Sequence, residues 1–596
     1  MRYLFIEPKP PNDHVFARIP LPRLGNVWLA TILRDLGHSC RVLLEDVRQV
    51  TAADIRWADV VGISSTTSTA PRAYALARRA REAGKTVILG GPHVTFLPEE
   101  ALQHADYVVR GEGEHTMVEL ARVLDGRLDP DGVAGLSYRR GSQAVHTRAR
   151  PLIDDLDALP SPDFELVEGW SGKRVTPLST SRGCPFGCRF CSVIPMFGTR
   201  YRFHSVQRVL EDMARLGEQT DHIFIVDDNF AASRKRTRQI CEGILSRGLR
   251  VEWSAQVRSD AARDPELVRL MAQAGCWCVF VGFESVNPET LEAYNKRQTV
   301  DDIRHAVHTF HEAGIRIHGM FVLGADQDDR ETIRQTVGFA RNLGIETVQF
   351  LVLTPTPGTP FFDEMASQGR LLTRDWALYD GHHVVHQPAR FTPAELQYEA
   401  VRATARFYSL RGALASLPRK DWSCFAIKLY AWRESRRFRR SERPFLRELR
   451  RALRRHASAV RQLLPEHPVR QVALPTLDIP EKYRRFLEEF LRRLHLQPVE
   501  VAIGAGGLGD PRRAPLRDRT KVVLVPLLGE VPSLPEGLRR AGALWAGRVG
   551  DQTVLGLPLA PEHLYRACVE LGVALDRRLG AVRRAYRAAA QAASLF

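Results

Sequence analysis

Cys184, Cys188 and Cys191 stand within eight residues of one another in the run RGCPFGCRFCS, in a 596-residue chain that has nine cysteines altogether. Thiols four and three positions apart in one tight loop can give thiolates to a single compact centre. A structural zinc ion closes with four ligands, commonly as two C-x2-C pairs. Here the next cysteine, Cys241, comes about fifty residues later inside a helical pattern, and Cys276 and Cys278 flank Trp277 at the start of an apolar run that reads as core. Three thiolates suit a [4Fe-4S] cluster instead, with one iron left open for chemistry. Phe190, directly before Cys191, completes a C-x3-C-x-aromatic-C array.

The elements that must carry this loop alternate in type. Between 173 and 385 six β-rich runs (RVTPLSTS, HIFIVDD, VEWSAQV, WCVFVGFE, RIHGMFVLG and TVQFLVLTP) are separated by stretches with helical spacing. Parallel strands with helical crossovers predict a (β/α)6 partial barrel, in which chemistry sits at the carboxyl ends of the strands. The cysteines follow the first of these strands, where that rule places them.

On these residues the segment resembles the radical S-adenosylmethionine (SAM) superfamily. The resemblance implies that Cys184, Cys188 and Cys191 hold the cluster, that SAM chelates the open iron, and that an electron from the cluster cleaves SAM to a 5′-deoxyadenosyl radical. It places Phe190 against the adenine. GFES, at Gly282–Ser285, is similar to the segment whose Glu, here Glu284, binds the methionine amino group or the ribose. HGMFVLG, ending at Gly324, is similar to the apolar strand under the adenine, and TPTPGTP, at Thr354–Pro360, to the turn after the sixth strand. Arg258, in QVRSD at a strand end, is a candidate for the SAM carboxylate, because a guanidinium suits bidentate carboxylate binding. Ordinary strand-end ion pairing is the competing reading of Glu284 and Arg258.

Residues 1–130 alternate strand and helix as well and predict a doubly wound, Rossmann-like sheet, with ligands beyond its carboxyl ends. The loops expected there are SSTTST (Ser64, Ser65, Thr66, Thr69), GGPHVTF (Gly90, Gly91, Pro92, His93) and GEGEHT (Gly111, Glu112, Gly113, Glu114). Their small and polar residues let backbone amides approach a ligand. GGPH and RGEGE, joined to such a barrel, resemble the cobalamin-binding domain of the cobalamin-dependent radical SAM class, which implies that these loops line the corrin and its tail. The Asp-x-His-x-x-Gly motif of other cobalamin proteins is absent: His14 follows Asp13 directly and His38 comes three after Asp35. An open lower face favours homolytic methyl transfer to a carbon radical.

The resemblance therefore implies a methyltransferase acting on an unactivated carbon, with oxidative cyclisation or rearrangement as the alternative. A methylthiotransferase needs a second cluster, yet residues 1–150 contain only Cys40. Residues 131–172 read as a connector, 386–465 as a basic helical region and 466–596 as a small α/β region. Between Arg402 and Arg455 seventeen Lys and Arg face four Asp and Glu, a surplus of 13 in a chain of net charge +16. Such a run is a solvated helical face or a contact for an anionic partner: a phosphorylated or lipid substrate, or a membrane surface touched peripherally. A nucleic-acid-binding protein with a structural metal is the reading from another class, disfavoured because the run lacks regular aromatic interleaving and any groove-reading motif. The N-terminus shows no signal-peptide pattern and no run of apolar residues is long enough to span a membrane, so a cytoplasmic enzyme is expected. An external donor of flavodoxin or ferredoxin type would supply electrons to the cluster.

Overall fold

The computed structural model describes residues 1–10, 12, 20–391, 393–414, 422–441 and 443, and beyond them the backbone of five strand segments between 471 and 558. The N-terminal unit is built on β1 (Arg2–Glu7), β2 (Ser39–Leu44), β3 (Val60–Ser64), β4 (Thr86–Gly90) and β5 (Tyr107–Val109). These five are parallel in the order β2-β1-β3-β4-β5. β1 shows why the sheet is covered on both sides. Its alternate residues Tyr3 and Phe5 pack with Val27, Ala30 and Leu33 of the helix Leu24–Asp35, while Leu4 and Ile6 pack with Ala73, Leu76 and Ala77 of the helix Ala70–Glu82. Such two-sided burial leaves no polar face and requires crossover helices.

The boundary expected at residue 130 falls later. β6 (Leu136–Arg140) and β7 (Gln143–His146) form a hairpin that extends the sheet antiparallel to β5. Leu136 and Tyr138 enter the same core as Tyr3 and Phe5, which makes the hairpin part of the first domain. The proline-punctuated stretch after it carries only short 3-10 turns at Leu156–Ala158 and Phe164–Leu166.

Six parallel strands follow: β8 (Thr176–Leu178), β11 (Ile223–Ile225), β12 (Trp253–Val257), β13 (Cys276–Glu284), β14 (Arg316–Leu323) and β15 (Thr347–Val352), side by side in chain order. The intervening β9 (Ser181–Arg182) and β10 (Arg202–Phe203) make a two-stranded ribbon at the carboxyl end of β8. Ile223, Ile225, Val279, Val281, Ile317, Phe321, Val348 and Phe350 point outward into the core shared with the surrounding helices. The alternate residues therefore face the barrel lumen: Phe224 and Ser254 stand opposite one another, as do Gln256 and Phe280, and Met320 and Gln349. The Phe224 and Phe280 rings lie 5.0 Å apart, and those of Phe280 and His318 4.7 Å apart.

After the barrel a strap, residues 371–391, returns to the N-terminal domain. Helices follow at Pro393–Phe407, Leu410–Leu414 and Trp422–Ser441. The strand segments expected in the last region are present as β16 (Gln471–Pro475), β17 (Gln497–Val501) and β18 (Val522–Leu527), joined by β19 (Trp545–Val549) and β20 (Gln552–Pro558). The sequence has helical spacing at 481–494 and 561–571 as well, but these stretches and the arginine run beyond 443 lie outside the described residues.

Candidate active site

The three cysteines occupy the loop between β9 and the short helix Val193–Phe197. All three are partly buried and none is in a disulfide. The Cys184 amide donates to the Gly198 carbonyl and the Cys191 amide to that of Cys188. Gly183 is fixed by its surroundings: its φ is +85°, and a Cβ there would lie 2.4 Å from the Arg200 carbonyl oxygen. Among the described residues no three His, Cys, Asp or Glu side chains stand close enough to share one metal ion. The described residues therefore hold no preformed mononuclear zinc site at this loop, and its three thiols are the donor set that a [4Fe-4S] cluster would take. Burial pushes the Cys191 thiol up to about 12 and raises that of Cys184. Iron charge is what would stabilise the thiolates there.

Neighbouring strand ends grip this loop. Phe190 meets Tyr294 edge-on, with ring centroids 4.9 Å apart, and both pack with Val322, Ala325, Leu351, Leu353 and Phe361. That apolar wall is where the resemblance places an adenine. The Asn295 amide donates to the Gly187 carbonyl at 2.9 Å. The Arg258 guanidinium lies 3.8 Å from the centre of the Phe186 ring and donates to the Lys296 carbonyl at 2.6 Å. Glu284 sits at a bulge of β13 with φ +63°, its carboxylate 2.6 Å from the Lys296 ammonium. Gly282 lies beneath that pair: a Cβ there would come 2.5 Å from the Glu284 carboxylate. Ser285 Oγ accepts from the Asn287 amide, and Gly324, at φ +97°, donates its amide to Asp328. Arg258 thus touches the cysteine loop through Phe186, Gly282 and Glu284 meet at Lys296, which was unforeseen, Gly324 adjoins Ala325 of the wall against Phe190, and Ser285 turns to Asn287. No motif marked Lys296, because it lies in a loop and acts through Glu284.

A cleft with about 1250 Å³ of empty space, partly open to solvent, runs between the first domain and the barrel. Ser64, Gly90, Gly91, Pro92, Gly111, Glu112, Gly113 and Glu114 line it from one side, and Ser179, Ser181, Arg182 and Asp228 from the other. Its inner part, walled by Phe5, Gly62, Ile88, Leu29 and Met117, reaches into the sheet. Gly62 leaves room for the Phe5 ring in that slot, since a Cβ there would lie 2.8 Å from it. Gly91 has φ +98°, and a Cβ there would meet the Ser65 carbonyl oxygen at 2.5 Å. Ser65 Oγ is buried without a hydrogen-bond partner. A glycine-edged mouth above an apolar slot is a lining that suits a cobalamin, and among the described residues no histidine borders it.

Four residues expected at this site stand elsewhere. The Ser65 and Thr66–Thr69 backbone shapes the turn after β3, where the Thr66 amide donates to Thr69 Oγ1, and Ser65, Thr66 and Thr69 do not line the cleft. His93 does not face the cleft either. The helical turn Pro92–Phe96 buries it against Trp376, ring centroids 5.1 Å apart, with Nε2 3.3 Å from Glu100. Glu112 and Glu114 reach the cleft, but their carboxylates are held by arginines of the β9–β10 ribbon. After the barrel, Trp376 and Tyr379 join the core of the first domain, and His383 pairs with Asp380.

Asp228 is the cleft residue that the sequence hid. It ends the run HIFIVDD, where a doubled carboxylate at a strand end was the available signal. Asp227 turns inward and accepts from the amides and hydroxyls of Thr180 and Ser181. Asp228 projects into the cleft, and the surrounding protein, with Asp227, pushes its carboxyl up to about 7.

The comparisons with known proteins agree with this geometry. Residues 178–340 match the radical SAM superfamily and residues 18–121 the B12 binding domain. An uncharacterized methyltransferase of Pyrococcus horikoshii is 33% identical over 67% of this chain and 91% of its own length. The hopanoid C-3 methylase of Methylococcus capsulatus is 30% identical over 68% of this chain and 80% of its own. In fold the chain is similar to the radical SAM methyltransferase TsrM of Kitasatospora setae, solved with cobalamin and a [4Fe-4S] cluster, at a TM-score of 0.57 and 20% identity over 73% of this chain and 99% of that one. The two matched domains and these relatives, with the cysteine loop and the glycine-edged cleft where the domains would need them, make the chain a member of the cobalamin-dependent radical SAM methyltransferase family, with a [4Fe-4S] cluster, SAM and cobalamin as its cofactors.

Proposed function

We propose that the enzyme methylates an unactivated carbon of a largely apolar small molecule, seated between the barrel lumen and the interdomain cleft. The observation that carries this reading is the shared cleft: glycine-rich loops of the first domain and the ends of β8, β9 and β11 border one space. When bound, the cluster with SAM supplies a 5′-deoxyadenosyl radical and cobalamin supplies a methyl group. The chain's own task is to hold both against one substrate carbon and keep water out. Phe190, Tyr294 and Val322 offer an apolar wall for the adenine. Glu284, steered by Lys296, and Arg258 offer polar groups for the rest of SAM. In the glycine loops, Gly90, Gly91, Gly111 and Gly113 leave room for the corrin.

The substrate class follows from the lumen. Phe224, Phe280, Met320 and Leu351 line it with the amides of Gln256 and Gln349, a surface that suits an uncharged, mostly apolar body with one or two polar groups. The hopanoid-methylating relative acts on a molecule of that kind. The helix Trp422–Ser441 holds Lys428, Arg433, Arg436, Arg437, Arg439 and Arg440 against Glu434 alone. This favours delivery of a lipid or phosphorylated substrate near an anionic surface, and no helix among the described residues is long and apolar enough to cross a membrane. We place the reaction in the cytoplasm, with a flavodoxin- or ferredoxin-type donor.

The test is anaerobic reconstitution with iron, sulfide and hydroxocobalamin, followed by metal analysis and joint assay of 5′-deoxyadenosine and methylated product on polycyclic and isoprenoid lipids. About four irons and one cobalt per chain with a methylated product are expected. Iron without cobalt, or a ring-closed product with no added methyl, would overturn the reading.

A further inference from the structure

The loop that borders the cobalamin cleft and the loop that carries the cysteines are tied together by buried ion pairs. Glu112 lies in the loop after β5 and Glu114 opens the helix Glu114–Leu124 that follows it. Arg182 and Arg202 face each other across the β9–β10 ribbon. Arg182 Nη1 donates to Glu112 Oε1 at 3.1 Å and Nη2 to Glu114 Oε1 at 2.5 Å. Arg202 donates to both Glu112 oxygens, each at 2.9 Å, and the Ile153 amide gives Glu112 a further bond at 2.7 Å. None of the four side chains is more than 9% exposed. The cluster is neutral, two cations against two anions. The Arg182 guanidinium also lies 4.8 Å from the centre of the Trp28 ring, which itself lines the cleft.

Position gives these bonds their meaning. Only Gly183, whose backbone has no freedom to take a side chain, separates Arg182 from Cys184. Gly111 and Gly113, which bracket Glu112, present backbone to the cleft. A shift of the Glu112 loop therefore moves one edge of the corrin seat, and a shift of Arg182 moves the first cluster ligand. On its other side the ribbon is anchored by Asp227, so it cannot follow the first domain independently of the barrel.

Resting on the two-cofactor reading above, we infer that Glu112, Glu114, Arg182 and Arg202 are positioning residues: a clamp that fixes the distance and angle between the cobalamin and the cluster. Glu112, Glu114 and Arg182 border the cleft, but their charged groups are engaged with one another and with Arg202. Their role is to make the two cofactors converge on one carbon, so that hydrogen removal and methyl delivery occur at the same place.

The experiment compares the full-length wild type with Glu112→Gln and the milder Glu114→Gln, each reconstituted anaerobically with iron, sulfide and hydroxocobalamin. Metal content is measured first. Both centres are then reduced to their paramagnetic states, and the magnetic coupling between cob(II)alamin and the reduced cluster is read by EPR. The wild type is expected to give one well-defined coupling. E112Q, which disturbs four of the five bonds, is expected to keep iron and cobalt but to show a coupling at least halved or spread over several values, and E114Q a smaller change in the same direction. If E112Q does not fold, E114Q is read in its place. Variants that load fully and keep the wild-type coupling overturn the clamp and leave the two-cofactor reading intact. A folded variant that keeps iron and loses cobalt overturns it too, by assigning the glutamate to cobalamin binding itself. A wild type without cobalt fails at the metal analysis, before any variant is compared, and overturns the two-cofactor reading together with the clamp built on it.

Discussion

The guanidinium of Arg258, at the end of β12, lies 3.8 Å from the centre of the Phe186 ring, between the first and second cluster cysteines. A strand end thereby holds down a loop that has little regular structure of its own. A cation over an aromatic face, desolvated, contributes about 1–2 kcal/mol. Arg258→Met is expected to keep four irons per chain and to weaken SAM binding by about 5- to 30-fold, which is that energy as an affinity ratio. Equilibrium dialysis with SAM on the reconstituted variant decides this, and unchanged affinity would show that the stack serves only to shape the loop.

Each cysteine is needed for the cluster. In Cys184→Ala, Cys188→Ala and Cys191→Ala, iron per chain should fall by more than half and the broad absorbance near 410 nm should be lost. Cys241→Ala and Cys276→Ala, substitutions within the barrel core, should retain both.

Gly91→Ala places a methyl group against the Ser65 carbonyl at φ +98° and ψ 175°, a conformation almost confined to glycine that costs an alanine about 1–3 kcal/mol before any clash. Cobalt retained after desalting should fall at least tenfold while iron stays at the wild-type level. The visible spectrum of bound cobalamin reports the outcome directly.

Acid should loosen the domain interface. Burial pushes the Glu112 carboxyl up, but Arg202, Arg182 and the Ile153 amide outweigh it and leave it below its ordinary value of 4.5. A carboxyl lowered by folding stabilises the fold above its unfolded value and loses that contribution as pH falls through the folded one. Thermal midpoints measured from pH 6 down to pH 3 should therefore drop below about pH 4.5 more steeply for the wild type than for E112Q. Parallel curves would place the acid-labile contacts elsewhere.

Trp376 Nε1 donates to both oxygens of Glu100 at 3.0 and 3.1 Å, fastening the strap to the first domain. A hydrogen bond to a charged acceptor contributes about 1.5–3 kcal/mol. Trp376→Phe keeps the ring and loses the donor, so chemical denaturation should show a loss within that range, and Glu100→Gln a loss of similar size.

The cysteine loop, both strand–helix alternations and the glycine loops were legible because each is a local pattern: close spacing of one residue type, period-two apolar runs, small residues at strand ends. The fates of His93 and Glu112 were not. Both sit in loops whose glycines announce a ligand, but the direction of a side chain there depends on a partner far away in sequence, Trp376 for one and Arg202 for the other. Lys296 and Asp228 escaped for the same reason, since nothing beside them in the chain indicates that they face Glu284 or the cleft. The hairpin Leu136–His146 was hidden by its shortness and by the prolines that follow it.

The strap has a consequence for the order in which the molecule is made. Trp376, Tyr379 and Val385 complete the hydrophobic core of the first domain, alongside Tyr74, Val94 and Leu102. During synthesis the first 150 residues leave the ribosome long before those three exist, so this domain must wait with one side of its core open to water until the whole barrel has been made. A chain interrupted within the barrel leaves that surface exposed to chaperones and proteases, whereas the cleft already has its second wall once residues 179–228, the cysteine loop among them, have been translated.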